Sequence, residues 1–501
     1  MPLVRTFVAG FVVFLALTFL WLSLKSDSRG GRASRDTQAL MMYCAAGLKP
    51  PVEAICKQYE TEYGISIEIS YEGSGTLLSK IKIAQHGDLY LAADESYIAL
   101  AQQDGLVNEE MPLARMQPVI AVYQGNPKNI SGLDDLTEGE LRFGLANPDA
   151  AAVGKITREI LLKTGDWNTV YPKAKVLKPT VNDLANDIKL QTVDAAIIWD
   201  AVANQYPELE IIHVPAFENQ ARNVTVGVLN SSGQPTVALH FARYLSARDR
   251  GLQSFSLFGY EVVEGDKWED APELVFFSGG VNRLAIQETL KEFEQREGIK
   301  INTNFNGCGI LLGQMKAGDI PDAYLACDVS FINQVEDLFD SRYDIAATDI
   351  IILTQRGNPK NLQALEDLTR EGLRLGIPNA EQSALGRLSL NMLDAAGLTN
   401  EVMNNVKSQT PTADLLVNQM LTGSLDAALV YKANAANVTE RLSVVPIGDH
   451  RANAIQPYAV SANSDHKQLM YRLLNTLRST PSQQRFMDVG FRWLGDQELQ
   501  K

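Results

Sequence analysis

Apolar positions along the chain follow two periodicities that alternate. A short apolar run at 39–43 has the pattern of a buried strand. At 51–63, Val52, Ile55 and Tyr59 recur on one face at helical spacing, and Gly64 supplies a residue type favoured just past a helix end. Residues 65–71 alternate as a strand, 76–84 return to a helical pattern, and 89–92 form another apolar run. Such alternation predicts an α/β fold with a mostly parallel sheet and helices on both faces. Ligands of such sheets bind at the carboxyl ends of the strands.

The pattern then repeats. The stretch from Leu40, LMMYCAAGLKPPVEAICKQYETEYGISIEISYEGSGTLLSKI, aligns without gaps on the stretch from Leu274, LVFFSGGVNRLAIQETLKEFEQREGIKINTNFNGCGILLGQM, at an offset of 234. Gly64, Gly73 and Gly75 fall on Gly298, Gly307 and Gly309, and Asp88–Asp94 falls on Asp322–Asp328. Further on the offset is 232: Gly125-Asn126-Pro127 meets Gly357-Asn358-Pro359, Gly154 meets Gly386, and Trp199 meets Tyr431. A period this long means duplicated domains and not a solenoid. The expected units are a first module at 39–266 and a second, diverged module at 273–501, parted by the polar stretch GDKWEDAP.

Ahead of the repeat, 7–24 runs for eighteen residues without a charge. That is near the lower limit for a spanning helix and long for a signal-peptide core. Residues 1–38 therefore read as an uncleaved membrane anchor and flexible tether. Arg5 precedes the run, and Lys25, Arg29, Arg32 and Arg35 follow it. Charge alone would keep the following domains cytoplasmic, but long domains obey that rule weakly. The function argued below places them outside.

Composition narrows the function. The formal net charge of -15 argues against nucleic acid as a partner. It leaves room for a small anion, because backbone N–H dipoles bind anions without a basic surface. Cys44, Cys56, Cys308 and Cys327 have no metal-site spacing, so no metal or other cofactor is expected, and spacing alone decides no disulfide. His86, His213, His240, His450 and His466 fall in no triad or metal pattern, and Ser74 lacks a nucleophile elbow. The expectation is a binding protein and not an enzyme.

Four segments lie where strands give way to helices. Glu72-Gly73-Ser74-Gly75-Thr76 places small residues and a hydroxyl at a helix start, where free N–H groups favour an anion. Tyr43 to Leu48 leaves room through Ala45, Ala46 and Gly47. Asn147 to Gly154 enters a helix, and Ala195 to Asp200 reads as a buried strand ending in Trp199. Capping, turn formation and core packing are the plainer roles for each. Asp94, Asp194 and Asp200 read as caps or lobe contacts, because a carboxylate within an anion site repels its ligand.

With these residues in order, the first copy resembles the periplasmic molybdate-binding family of type II periplasmic binding proteins. CAAGLKPPVE (44–53), YEGSGTLLSKI (71–81), GDLYLAADESYI (87–98), NPDAAAVG (147–154) and DAAIIW (194–199) carry the resemblance. It implies two tandem modules, each of two α/β lobes with a hinge and an inter-lobe cleft. It also implies an extracytoplasmic protein that holds a tetrahedral oxyanion, molybdate or tungstate, and delivers it to an ABC transporter permease. A membrane-anchored sensor or scaffold is the alternative. The ligand residues implied in the first module are Gly47, Gly73, Ser74, Gly75, Val153, Val181 and Trp199. Ser74 would give a hydroxyl and Val153 and Val181 backbone N–H groups. Gly47 stands where well-known members carry a second serine. The second module departs further. Cys308 replaces the serine and Val281 stands at the Gly47 position, leaving Ser278, Cys308, Gly309, Leu385 and Tyr431 as candidates. That module is expected to bind the same anion weakly, to bind something else, or to be structural.

Overall fold

A computed structural model describes residues 39–137 and 140–495. The apolar run at 7–24, which carries the anchor expectation, lies outside the described residues. Among the described residues no helix is long and apolar enough to cross a membrane.

Two separate hydrophobic cores form, one between Leu40 and Tyr260 and one between Leu274 and Phe491. Each serves one copy of the repeat, and each copy divides into two lobes. In the first copy, the first lobe is a six-stranded sheet in the order Glu261–Val262, Val107–Met116, Arg222–Leu229, Leu89–Ala92, Leu40–Ala45, Ile67–Glu72. The second lobe is a five-stranded sheet in the order Val176–Lys178, Phe143–Ala146, Ala195–Trp199, Pro118–Tyr123, Leu209–Ile212. The chain passes from the first lobe to the second at Gln117 and returns between Ile212 and Arg222.

The expectation of mostly parallel sheets holds only for part of each lobe. Leu40–Ala45 pairs in parallel with both of its neighbours, but Arg222–Leu229 runs antiparallel to Leu89–Ala92 and to Val107–Met116. The strands that carry the chain between lobes must come back against the direction of the others, and local hydrophobic pattern does not show direction. The local elements themselves follow the pattern. The helix Lys49–Tyr63 ends at Gly64 with φ +69°, and its counterpart Arg283–Glu297 ends at Gly298 with φ +68°. Both are left-handed caps that glycine adopts without steric cost.

The two copies cross between lobes differently. In the first, the outgoing strands are separate, because Pro118 has no N–H to continue the ladder. In the second, Ile350 takes that position and donates to Ala452 O at 2.7 Å. One strand, Phe339–Gln355, then runs unbroken for 17 residues and joins both lobes into a single ten-stranded sheet.

The copies also touch. Arg296 makes two bonds to the Glu109 carboxylate, at 2.8 and 3.0 Å. Asp266, in the connecting segment, accepts the N–H groups of Gln468 and Leu469 at 2.8 and 2.9 Å. These are orphan donors in the first turn of the helix Lys467–Leu477, so the connector caps a helix of the second copy.

Candidate functional site

In each copy the carboxyl ends of the strands and the starts of three helices converge on a cavity between the lobes. The first is lined by Ala45, Ala46, Gly47, Glu72, Gly73, Ser74, Ala93, Ala151, Ala152, Val153, Thr180, Val181 and Trp199, and encloses about 20 Å³. The helices are Ser74–Ala84, Ala152–Thr164 and Val181–Lys189. Their first N–H groups have no partner within their own helices, and each N-terminus carries partial positive charge. Val153 is the second residue of its helix and Val181 the first of its own.

Ser74 is the first residue of its helix, with Gly73 as the cap. Its side chain is buried and accepts the Ala93 N–H at 3.2 Å. A hydroxyl that already accepts from the protein keeps its own proton to donate. Its carbonyl accepts the Tyr90 hydroxyl at 2.7 Å, which ties the helix start to the sheet. Gly47 is held through its carbonyl, which accepts the Tyr260 hydroxyl at 2.5 Å. A Cβ at Gly47 would meet Val181 Cγ1 and Val202 Cγ2, each at 3.0 Å, so aliphatic groups occupy the room another side chain would need.

The lobes are closed. Gly75 N–H donates to Ala150 O across the cleft at 2.9 Å, and Lys155 Nζ reaches Ser96 Oγ at 2.6 Å. Closure depends on Gly73: a Cβ there would stand 2.3 Å from Ala150 O and 2.6 Å from Pro179 O. Gly307 repeats this at 2.3 Å from Gln382 O and 2.6 Å from Pro411 O.

Of the residues expected in the first module, Gly47, Gly73, Ser74, Val153, Val181 and Trp199 line the cavity. Gly75 does not; its N–H is spent on the other lobe. None of the three aspartates lines the cavity. Asp94 caps its helix through Ser96 N–H, Asp200 accepts Gln117 and Ala201 N–H, and Asp194 holds Arg142. Burial raises the Asp194 carboxyl, but donation from the Arg142 side chain and backbone outweighs it and leaves it lowered. Glu72, which opens that segment but was not read as a ligand, lines the cavity, where Lys80 pairs with its carboxylate. Burial raises the Cys44 thiol well above its ordinary range and pushes Cys56 up to about 12, so both stay protonated. Among the described residues no cluster could hold a metal ion.

The second cavity is also about 20 Å³ but differently lined: Gly280, Val281, Asn306, Gly307, Cys327, Ser383, Leu385, Pro411, Thr412, Ala413, Asp414, Tyr431 and Asn434. Leu385 and Tyr431 stand where expected. Three other expectations are corrected. Cys308 is bonded to Cys327 in a disulfide, so it has no S–H to donate. Gly309 N–H is used across the cleft on Gln382 O at 3.0 Å. Ser278 is absent from the cavity lining; its hydroxyl donates to Gly279 O at 3.4 Å and accepts from Asn282. Asp414, at the position of Asn182, was missed, because no motif marks it.

Paired α/β lobes joined by two chain crossings, closing on a cavity rimmed by helix N-termini, define a solute-binding protein. The family model for bacterial extracellular solute-binding proteins matches residues 40–261 and again 274–492, and the chain belongs to that family. A putative binding protein of Haemophilus influenzae strain Rd is 30% identical over 222 residues, 44% of this chain and 90% of that protein. The molybdate-binding protein ModA of Escherichia coli strain K12 is 23% identical over 257 residues, 48% of this chain and 98% of that protein. Among solved structures, the periplasmic molybdate-binding protein of Azotobacter vinelandii aligns with 45% of this chain and 100% of its own, at 15% identity and TM-score 0.38. The sulfate-binding protein SubI of Mycobacterium tuberculosis H37Rv aligns with 45% of this chain and 88% of its own, at 17% identity and TM-score 0.40. The chain is thus an extracytoplasmic binding protein with two modules, and not an enzyme.

Proposed function

We propose that the first module binds a tetrahedral oxyanion, molybdate or tungstate, and delivers it to an ABC transporter permease. The observation that carries this reading is Ser74. Its hydroxyl proton is free, it lines a closed cavity, and unused helix N–H groups surround that cavity. Lys80 neutralises Glu72, the one carboxylate in the lining. Relatives named as molybdate-binding proteins support the choice of anion.

Binding proceeds by hinge closure. The anion enters between open lobes, and the donors of Ser74, Val153 and Val181 converge on its oxygens only when the lobes meet. Those contacts stabilise the closed state relative to the open one. No counter-ion is required, since each of the three helix starts offers roughly half a positive charge. In this reading 39–266 and 273–501 are the two modules and 1–38 is the membrane tether.

The test is calorimetric titration of the full chain with molybdate, tungstate, sulfate and phosphate. Saturable heat with molybdate or tungstate, weakened in Ser74→Ala, supports the reading. A folded chain that gives no heat with any of the four contradicts it.

A further inference from the structure

The second cavity keeps the helix starts of the first but not its charge balance. Cys308–Lys316, Ala384–Ala395 and Ala413–Leu421 begin at its walls, as their counterparts do in the first module. Leu385 is the second residue of its helix and Ala413 the first of its own, so both present first-turn N–H groups. This end of the cavity suits an anionic group.

A carboxylate stands in the first turn of the third of these helices. Asp414 lines the cavity, and Asn434 Nδ2 donates to its Oδ1 at 2.9 Å. Its Oδ2 faces Gly280, 3.9 Å from where a Cβ would stand. Among the described residues no cation pairs with Asp414. In the first module the lining carboxylate, Glu72, pairs with Lys80; their counterparts in the second are Asn306 and Gln314, so that pair is gone and Asp414 is a carboxylate the first module does not have. Asp414 itself is exposed, whereas two other polar atoms of the lining are buried without partners: Asn434 Oδ1 and the hydroxyl of Tyr431, a residue only 3% exposed. An unmet buried polar group costs free energy that a bound partner returns.

A simple oxyanion meets repulsion from Asp414, and a simple cation meets the positive ends of the helices. A ligand carrying both charges satisfies both. We infer that the second module binds a small α-amino zwitterion. Its carboxylate takes the N–H groups of Leu385 and Ala413, and its ammonium takes Asp414 Oδ2 and Asn434 Oδ1. Tyr431 completes the set with its hydroxyl. The cavity matches the first in volume, and glycine matches a tetrahedral oxyanion in heavy-atom count. The inference stands apart from the oxyanion reading, because it uses no residue of the first module.

The experiment titrates the full chain with glycine, L-alanine and L-serine by calorimetry, with acetate and glycinamide as probes that each lack one charge. At least one amino acid is expected to give saturable heat. Acetate and glycinamide are expected to bind about tenfold or more weakly, the loss of one charge-assisted contact. Asp414→Asn keeps a polar partner for Asn434 and should melt like the wild type while weakening the amino acid by a similar factor. If that variant does not fold, the two single-charge probes on the wild type still decide the matter. No heat from any of the three amino acids overturns the inference. So do equal binding of acetate, or unchanged binding in a folded Asp414→Asn.

Discussion

His240 and Arg472 occupy one position in two copies of the same lobe, and so do Tyr63 and Glu297. In the first module the imidazole of His240 packs edge-on to Tyr63, ring centres 5.0 Å apart, within a group that includes Tyr59, Tyr244 and Trp268. In the second, Arg472 binds the Glu297 carboxylate through two bonds at 2.7 and 3.2 Å, with Glu297 1% exposed. The backbone frame survived duplication while the chemistry inside it changed. The clefts show the same divergence: Ser74 and Ala93 are joined by a hydrogen bond, and at their counterparts Cys308 and Cys327 are joined by a covalent one.

The sharpest break in this comparison falls on the buried pair. Arg472→Met strands the Glu297 carboxylate in the core, which costs about 3–5 kcal/mol. His240→Met removes its bonds to the Tyr59 hydroxyl, 2.7 Å away, and to the exposed Asp270 carboxylate, 2.8 Å away, and strands a buried hydroxyl but no buried charge, so a smaller loss of about 1–3 kcal/mol is expected. Denaturant titration of both variants measures the gap. Equal losses would mean that the two lobes are stabilised alike.

Closure comes next. Gly73→Ala and Gly307→Ala each press a Cβ against two backbone carbonyls that have no rotamer to give way. Both should hold their own module open without loss of either core. Only Gly73→Ala should weaken molybdate, by about a hundredfold, as expected when a ligand must pay to reach its competent state. Calorimetry reads the difference.

Ser74→Ala removes one hydroxyl bond to a charged ligand, worth about 1.5–3 kcal/mol, or roughly tenfold to a hundredfold in Kd. Replacing Cys308 and Cys327 together by serine and alanine restores the first module's residue types at those positions. It should not create oxyanion binding, because Asp414 remains. Gain of molybdate binding in that double variant would assign the difference to the disulfide and not to the carboxylate.

The smallest effect is one the modules share. Asp194 holds Arg142, and Asp426 holds Arg374, in the same place of each second lobe. The Asp426 carboxyl is lowered by donation from the Arg374 side chain, so its stabilisation is present above its unfolded pKa. It is lost as pH falls through the lower folded value, below about pH 4. The arginines are half-exposed, so Asp194→Asn and Asp426→Asn should each cost under about 1 kcal/mol, measured by melting at neutral pH.

The repeat, most local elements and most first-module cavity residues were legible because each leaves a pattern within a few residues of itself. Glycines beside a strand end, and small residues before a helix, mark a place where backbone comes close. That signal does not say close to what. Gly75 and Gly309 approach the facing lobe and not a ligand, and only the closed fold separates the two cases. Strand direction was hidden for a similar reason, since the crossing strands pair with partners more than a hundred residues away. The Cys308–Cys327 bond spans 19 residues with no diagnostic spacing, and its formation depends on the 6.2 Å between the Cα atoms. Asp414 was invisible because a first-turn aspartate is ordinary helix chemistry until its neighbours are known.

Molybdate stoichiometry on the full chain, by calorimetry with protein concentration fixed independently, tests the central claim most directly. The account predicts one molybdate per chain, abolished or strongly weakened by Ser74→Ala and untouched by Asp414→Asn. Two per chain would contradict the division of labour between the modules. None, from a folded chain, would contradict the oxyanion site itself.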